Sequence, residues 1–448
     1  MACWTAAAVV AAFGFGWLTF SPLLTLTVAA LVAVGAAVVG VQRTRRAGRV
    51  DLFHPLLFPT AYIAVATLAP VAWIWSGQGD LGFVTRDAMS ERTPLLMALA
   101  VLGFTLGAAV PFRPLRRRGK PLDPGLLLLT GRALLLVALA LAARDYLAGA
   151  VITRSLGQDV YSSADVVTTI GFMAAPAAAT MIFTARYQSG RHPIGADVLP
   201  LLALIGLLGL NGRRGAALSV VVIGLVFITR RAVGTWKVAA GMGATAVFAY
   251  AVVIYRTAQL GGVTALPTLA VPLRDLGSVA FTTGMTDLSV TYPQSTTGGS
   301  TIVAGLLRQL PSPIAVRLFG APDDTGTFVF RNVTGLTASN QGYGFSIPAE
   351  GLLNFGVVGV LVLSLVAGIA VAWLYGRFDP TSSRTVGLLY PLAIGTLPFA
   401  WRSDTLGAVK GVFYPAVALA LVLIVARSIA SAYKPATPRS VARARLRV

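Results

Sequence analysis

The sequence predicts an all-α, polytopic integral membrane protein, with about twelve transmembrane helices and one long external loop containing short amphipathic helices. Three observations predict it. The 448-residue chain is 56% hydrophobic and only 12% charged. Apolar runs of about 18 to 25 residues recur along it, each long enough to cross a bilayer. Arginine and lysine collect in every second connection between those runs. A segment in lipid must satisfy its own backbone hydrogen bonds, and runs rich in Ala, Leu, Val and Gly suit helices rather than alternating barrel strands.

The runs fall at about 3–19, 22–41, 55–76, 94–112, 126–144, 166–184, 198–210, 215–229, 238–256, 352–376, 385–401 and 408–426. The first, in MACWTAAAVVAAFGFGWLTFSP, lacks the positive n-region of a secretory leader and reads as a retained helix. Between the second and third lies RTRRAGR (43–49), and after the fourth RPLRRRGK (113–120). ARYQSGRH (185–192) follows the sixth, RRAVGTWK (230–237) the eighth and RFDPTSSR (377–384) the tenth, and the chain closes in a basic tail, 427–448. These connections hold 22 basic and 4 acidic residues, whereas the opposite side holds 13 and 12, with Arg132 left inside the fifth run. The net charge of +20 is therefore a topology signal rather than a nucleic-acid footprint. By the positive-inside rule both termini are cytoplasmic, and the loop at about 257–351 is external. The chain reads as one transmembrane domain, 1–448, with 257–351 as a subregion. One cysteine, Cys3, allows no intrachain disulfide and no cysteine-based metal site.

Polar chemistry collects in three places on the external side. NGRRG (211–215) puts Arg213 and Arg214 where topology does not ask for arginine. Flanking glycines let a ligand approach, and the guanidinium fork matches phosphate oxygens; the alternative is a pair of snorkelling arginines in a tight turn. The long loop is too long for a plain connector. It carries Arg331, and its NQGYGF stretch offers Asn340 and Tyr343, a combination suited to sugar hydroxyls and ring faces. Its IVAGLLRQLPSPIAVRLFG segment (302–320) reads as amphipathic pieces on the membrane face, and PDDTG places Asp323 and Asp324 in a turn or, alternatively, at a divalent cation. Glu350, one of two glutamates, stands at the start of the tenth run as a candidate general base or a helix N-terminal cap. WRSDTLGAVK then pairs Arg402 with Asp404, as a surface ion pair or as a phosphate contact with its orienting carboxylate.

Three stretches, SIPAEGLLNFGVVGVLV (346–362), NGRRGAALSVVV (211–222) and WRSDTLGAVKGVFYPAVALALVL (401–423), resemble the bacterial oligosaccharide repeat-unit (O-antigen, Wzy-type) polymerases. The twelve-run plan with one large loop before the tenth is similar to the membrane glycosyltransferase (GT-C-like) polymerase and ligase architecture. The resemblance implies a bacterial cytoplasmic-membrane glycosyltransferase that moves a glycan en bloc from a polyprenyl (undecaprenyl) diphosphate to the sugar of another lipid-linked unit. It implies no cofactor and no metal. Its partners would be the lipid-linked donor and acceptor, membrane lipid and a chain-length regulator, with no nucleic acid.

On that reading Arg213 and Arg214 bind the diphosphate with help from Arg402 and Arg331, and Arg214 also stabilises the leaving group. Asn340 and Tyr343 hold sugar. Glu350 is the preferred base and Asp404 the second candidate. Arg-x10-Gly patterns of the family have counterparts in Arg213…Gly224 and Arg331…Gly342, a form that chance also produces. Related O-antigen ligases look to an external histidine, whereas His54 and His192 both fall on the cytoplasmic side. A transporter or flippase of lipid-linked glycans is the rival class; it predicts internal repeats and midplane charges, and the sequence shows neither.

Overall fold

The computed structural model describes residues 21–45, 50–112, 123–147, 164–211, 214–230, 270–290, 296–309, 325–335, 345–381 and 385–432, besides a few isolated positions; for 164–172, 214, 271 and 429–432 it describes backbone alone. The described residues form helices and no strand, apart from a lone bridge between Leu81 and Val84. In chain order the helices are α1 (Pro22–Thr44), α2 (Phe58–Trp75), α3 (Thr93–Ala108), α4 (Pro124–Leu147), α5 (Ala164–Gln188), α6 (Gly195–Leu210) and α7 (Arg214–Thr229). Four short helices follow: α8 (Ala270–Leu276), α9 (Ser278–Ser289), α10 (Ser300–Leu307) and α11 (Gly326–Thr334). The chain then returns to long helices in α12 (Ile347–Arg377), α13 (Thr385–Ala400) and α14 (Thr405–Ala432).

Five of these, α1, α2, α4, α12 and α14, are long and apolar enough to cross a membrane, and α3, α6, α7 and α13 are shorter apolar helices. The protein is a multi-pass membrane protein. Large side chains such as Leu31, Leu129, Leu199, Val358 and Leu421 point outward from these helices, as a lipid-facing surface requires. The expected first run lies outside the described residues, and most of the ninth does too.

Two cores hold the bundle. One gathers α1, α2, α3, α9 and α12, the other α4, α5, α6, α7 and α14. Lipid offers no hydrophobic drive between helices, so close packing of small residues has to supply the contact. Gly103 and Gly107 of α3 face Ser364 and Gly368 of α12 in this way: a Cβ at Gly107 would meet the Leu365 carbonyl, and one at Gly368 the Phe104 carbonyl.

Contacts between connections sort into the two sets that the charge alternation separates. At the basic end Arg43 donates to the Ala109 carbonyl at 3.3 Å, Gln188 to that of Thr381 at 3.1 Å, and Arg230 meets Asp51 at 3.1 Å. Tyr375 also donates to Asp51, at 2.8 Å. Beside it His54 accepts from the Leu56 amide at 3.3 Å, and burial pulls its pKa down to about 4, so the ring stays neutral. Arg132, the charge inside the fifth run, has a partner too. It places two donors, at 2.9 and 2.6 Å, on one oxygen of fully buried Asp197, while Arg186 reaches the other at 2.7 Å. At the opposite end Asn211 donates to the Ala142 carbonyl at 2.8 Å, and the short helices meet the tops of α12 and α14.

The glycine pairing makes a specific demand. Gly368→Leu should lower the unfolding free energy by about 1–3 kcal/mol through overpacking. Gly35→Leu, where nothing lies within 4 Å, should leave it unchanged. Thermal melts of both variants in one detergent check this.

Candidate active site

The site begins with a break in α12. Gly356 has φ 67° and ψ −155°, a conformation that glycine alone adopts without strain, and it divides the helix into a short leading piece and the long apolar remainder. The leading piece folds so that the Gly351 backbone lies against that of Gly359, where a Cβ on either would collide. Ser346 caps it, accepting from the Ala349 amide at 3.3 Å. One turn in, Glu350 is turned away from solvent entirely, at 0% exposure.

A buried carboxylate is costly unless donors surround it. Glu350 has three. Its Oε2 accepts from the amide and the hydroxyl of Thr405, both at 2.7 Å, and its Oε1 from the Thr301 hydroxyl at 3.2 Å. Asn354, one turn further on the same face, donates to Thr301 Oγ1 and to the Glu350 carbonyl, both at 2.7 Å, and accepts from Thr297 at 2.7 Å. Glu350 thus joins α10, α12 and the first turn of α14.

Asp404 works beside it. One oxygen caps α14 through the Gly407 amide at 2.9 Å; the other accepts from the amide and hydroxyl of Thr327 in α11, at 3.1 and 2.8 Å. Arg402 directs Nε to Ser278 Oγ of α9 at 2.8 Å, and among the described residues no acceptor lies on its two terminal nitrogens. Trp401, next to Arg402 in the chain, is buried, donating to Thr67 at 3.0 Å. The break between α13 and α14 therefore receives α9 through Arg402, α10 through Glu350 and α11 through Asp404.

Three of the residues singled out in the sequence, Glu350, Arg402 and Asp404, are brought into one polar seam. Among the described residues no ion pair joins Arg402 to Asp404; each binds a different loop helix instead. Arg331 is exposed on α11, one turn beyond Thr327. The backbone of Arg214 opens α7, and the next residue, Gly215, lies so near the Phe399 ring, three positions before Arg402, that an added Cβ would come within 3.1 Å of it. The start of α7 thus belongs to the same end as the seam. Arg213, Asn340, Tyr343, Asp323 and Asp324 lie outside the described residues, as does the side chain of Arg214. Sequence reading missed Thr301, Asn354, Thr405 and Ser278. The one signal for them was the Glu350 to Asn354 spacing, which puts an amide one helical turn from the carboxylate.

A buried polar seam at the end of a multi-pass helical bundle, opposite the basic connections, marks a membrane-embedded protein with its buried polar groups gathered at one end. Residues 337–432 match the family model described as O-antigen polysaccharide polymerase Wzy, so this segment of the chain is similar to that family. The matched segment runs from before α12 through α14 and contains Glu350, Arg402 and Asp404. Comparisons with curated proteins and with solved structures gave no match.

The seam depends on the Gly356 corner. Gly356→Ala should strain the backbone by about 1–3 kcal/mol, loosen the grip on α10 and α11, and speed limited proteolysis within 257–351. Cleavage at the wild-type rate would show that the corner is not needed.

Proposed function

We propose that the protein polymerises polyprenyl-diphosphate-linked oligosaccharide repeat units by en bloc transfer, without a metal, on the external face of the bacterial cytoplasmic membrane, its termini on the cytoplasmic side. The family match supports an O-antigen polymerase in general and lipid-linked oligosaccharides as substrates. The observation that carries the finer reading is the convergence of Glu350, Arg402 and Asp404 with three loop helices at the end of the bundle away from the basic connections.

In the proposed step an acceptor hydroxyl oxygen bonds to the anomeric carbon of the donor glycan, and the bond from that carbon to the diphosphate oxygen breaks. The hydroxyl proton passes to Glu350, and the lipid diphosphate leaves with the bonding electrons. Both donors on Oε2 come from the α14 terminus, whereas Oε1 carries one bond, the longest of the three at 3.2 Å. The acceptor hydroxyl takes the place of Thr301 there. Asp404 orients the neighbouring turn and stands second as base. Arg402, whose terminal nitrogens face no acceptor among the described residues, meets the diphosphate with Arg213 and Arg214, and Arg331 assists from α11. Asn340 and Tyr343 contact sugar. A chain-length regulator would act on the assembled enzyme.

Glu350 also supports a purely bracing reading, since its bonds to Thr405 cap the first turn of α14. Activity separates the two. With purified protein and lipid-linked repeat units, Glu350→Gln should slow ladder formation by roughly 10²–10⁴-fold, the range for loss of a general base, while eluting as the wild type does on size exclusion. Arg402→Ala should slow it as well. A normal ladder from folded Glu350→Gln protein would remove Glu350 from the chemistry and leave it the brace.

A further inference from the structure

Among the described residues the carboxylates of Glu350, Asp404, Asp197, Asp145 and Asp287 are nearly or wholly buried, and the first three are saturated. Glu350 accepts three hydrogen bonds, Asp404 three, and Asp197 is clamped by Arg132 and Arg186. Asp287, near the end of α9, differs. Its side chain is only 5% exposed, yet among the described residues its charged partner is Arg92 Nε, at 3.6 Å from Oδ2, and its buried Oδ1 has no hydrogen-bond partner. A buried carboxylate oxygen left without a donor forfeits the bonds it had in water, and native structures seldom keep such an atom without a use.

The surroundings say what would fill it. α9 is pinned on both flanks: Thr283 lies 3.4 Å from Ser346 Oγ at the start of α12, and Gly284 packs against the Ala88 carbonyl and Met89 backbone, where a Cβ would approach to 2.6 and 2.9 Å. Asp287 is one turn beyond Thr283, so the oxygen is held in place. Arg92, half exposed at 51%, already balances the charge. A metal ion would be repelled by that guanidinium and finds a single carboxylate. A neutral group with O–H or N–H donors would satisfy Oδ1 without disturbing the ion pair.

We infer that Asp287 forms a carbohydrate subsite, accepting from a hydroxyl or acylamino N–H of a sugar in the lipid-linked repeat unit. This rests on the proposed function, and it assigns Asp287 to binding, apart from the bond-making groups at Glu350.

The test uses the full chain in nanodiscs with radiolabelled lipid-linked repeat unit, reading retention of label and growth of the ladder. Asp287→Ala should raise both Kd and KM by at least about tenfold, the loss expected for a hydrogen bond to a charged group, and leave kcat within about twofold. Arg92→Ala, which removes the ion pair and keeps the oxygen, should move KM by less than about threefold. Unchanged KM in folded Asp287→Ala protein, or equal losses in both variants, would overturn the subsite and leave the polymerase reading intact. If the wild type retains label but grows no ladder, and Asp287→Ala loses retention, the subsite stands and the polymerase reading falls.

Discussion

The Glu350 carboxylate accepts from Thr405 at the start of α14 and from Thr301 in α10, and the arrangement of this end of the molecule depends on that junction. A carboxylate at 0% exposure must have its donors fixed before it can stay buried. Thr405 supplies two, and in doing so has an amide of the α14 terminus capped from another helix. Thr301 supplies the third only if α10 lies against α12, and Asn354 enforces that by donating to Thr301 and accepting from Thr297. The requirement of one charge therefore organises a loop helix, a corner and a helix end together.

The corner explains how a loop can share a buried polar seam with a long helix in a membrane protein. Irregular backbone is tolerated at depth only where protein satisfies it. Gly356 turns the start of α12 aside, so the carboxylate enters the protein rather than lipid, while the remaining turns of the helix stay apolar. The free backbone groups find partners nearby: the Thr297 amide donates to the Leu353 carbonyl at 3.1 Å and the Gly298 amide to that of Asn354 at 3.2 Å. Loop and helix are thus stitched by main chain as well as by side chains.

Much of this was legible in the sequence, because a spanning helix declares itself by length and composition and because basic residues mark alternate connections. The places where polar chemistry collects, at Glu350 and at Arg402 with Asp404, were legible for the same reason: charge stands out against an apolar background. Their partners were not. Arg402 and Asp404, two apart, read as a pair, yet Asp404 caps α14 and holds Thr327 while Arg402 reaches Ser278. A cap needs the side chain turned toward its own helix, a direction that spacing alone does not give. Thr301 and Thr405 were invisible because hydroxyls are common in loops, and only the fold makes two of them converge on one carboxylate. Gly356 was one glycine among 47, and nothing local separates a corner glycine from a packing glycine such as Gly368.

Arg402 is held differently from the carboxylate-paired arginines of the bundle, and that contrast bears on the proposed diphosphate contact. Near the basic connections Arg132 and Arg186 both point into Asp197, and Arg230 points into Asp51. Each of those guanidinium groups has part of its field cancelled by a carboxylate at hydrogen-bond distance, so it contributes to structure more than to the local potential. At the opposite end Arg402 is oriented by the neutral hydroxyl of Ser278, which fixes the fork without lowering its charge. A cation held by a hydroxyl costs more to bury than one held by a carboxylate, and Arg402 offsets this by staying partly exposed. The arrangement docks α9 and leaves Arg402 without a carboxylate partner among the described residues. It suits a site in which the missing negative charge arrives with the substrate and grows as the bond to the leaving phosphate breaks.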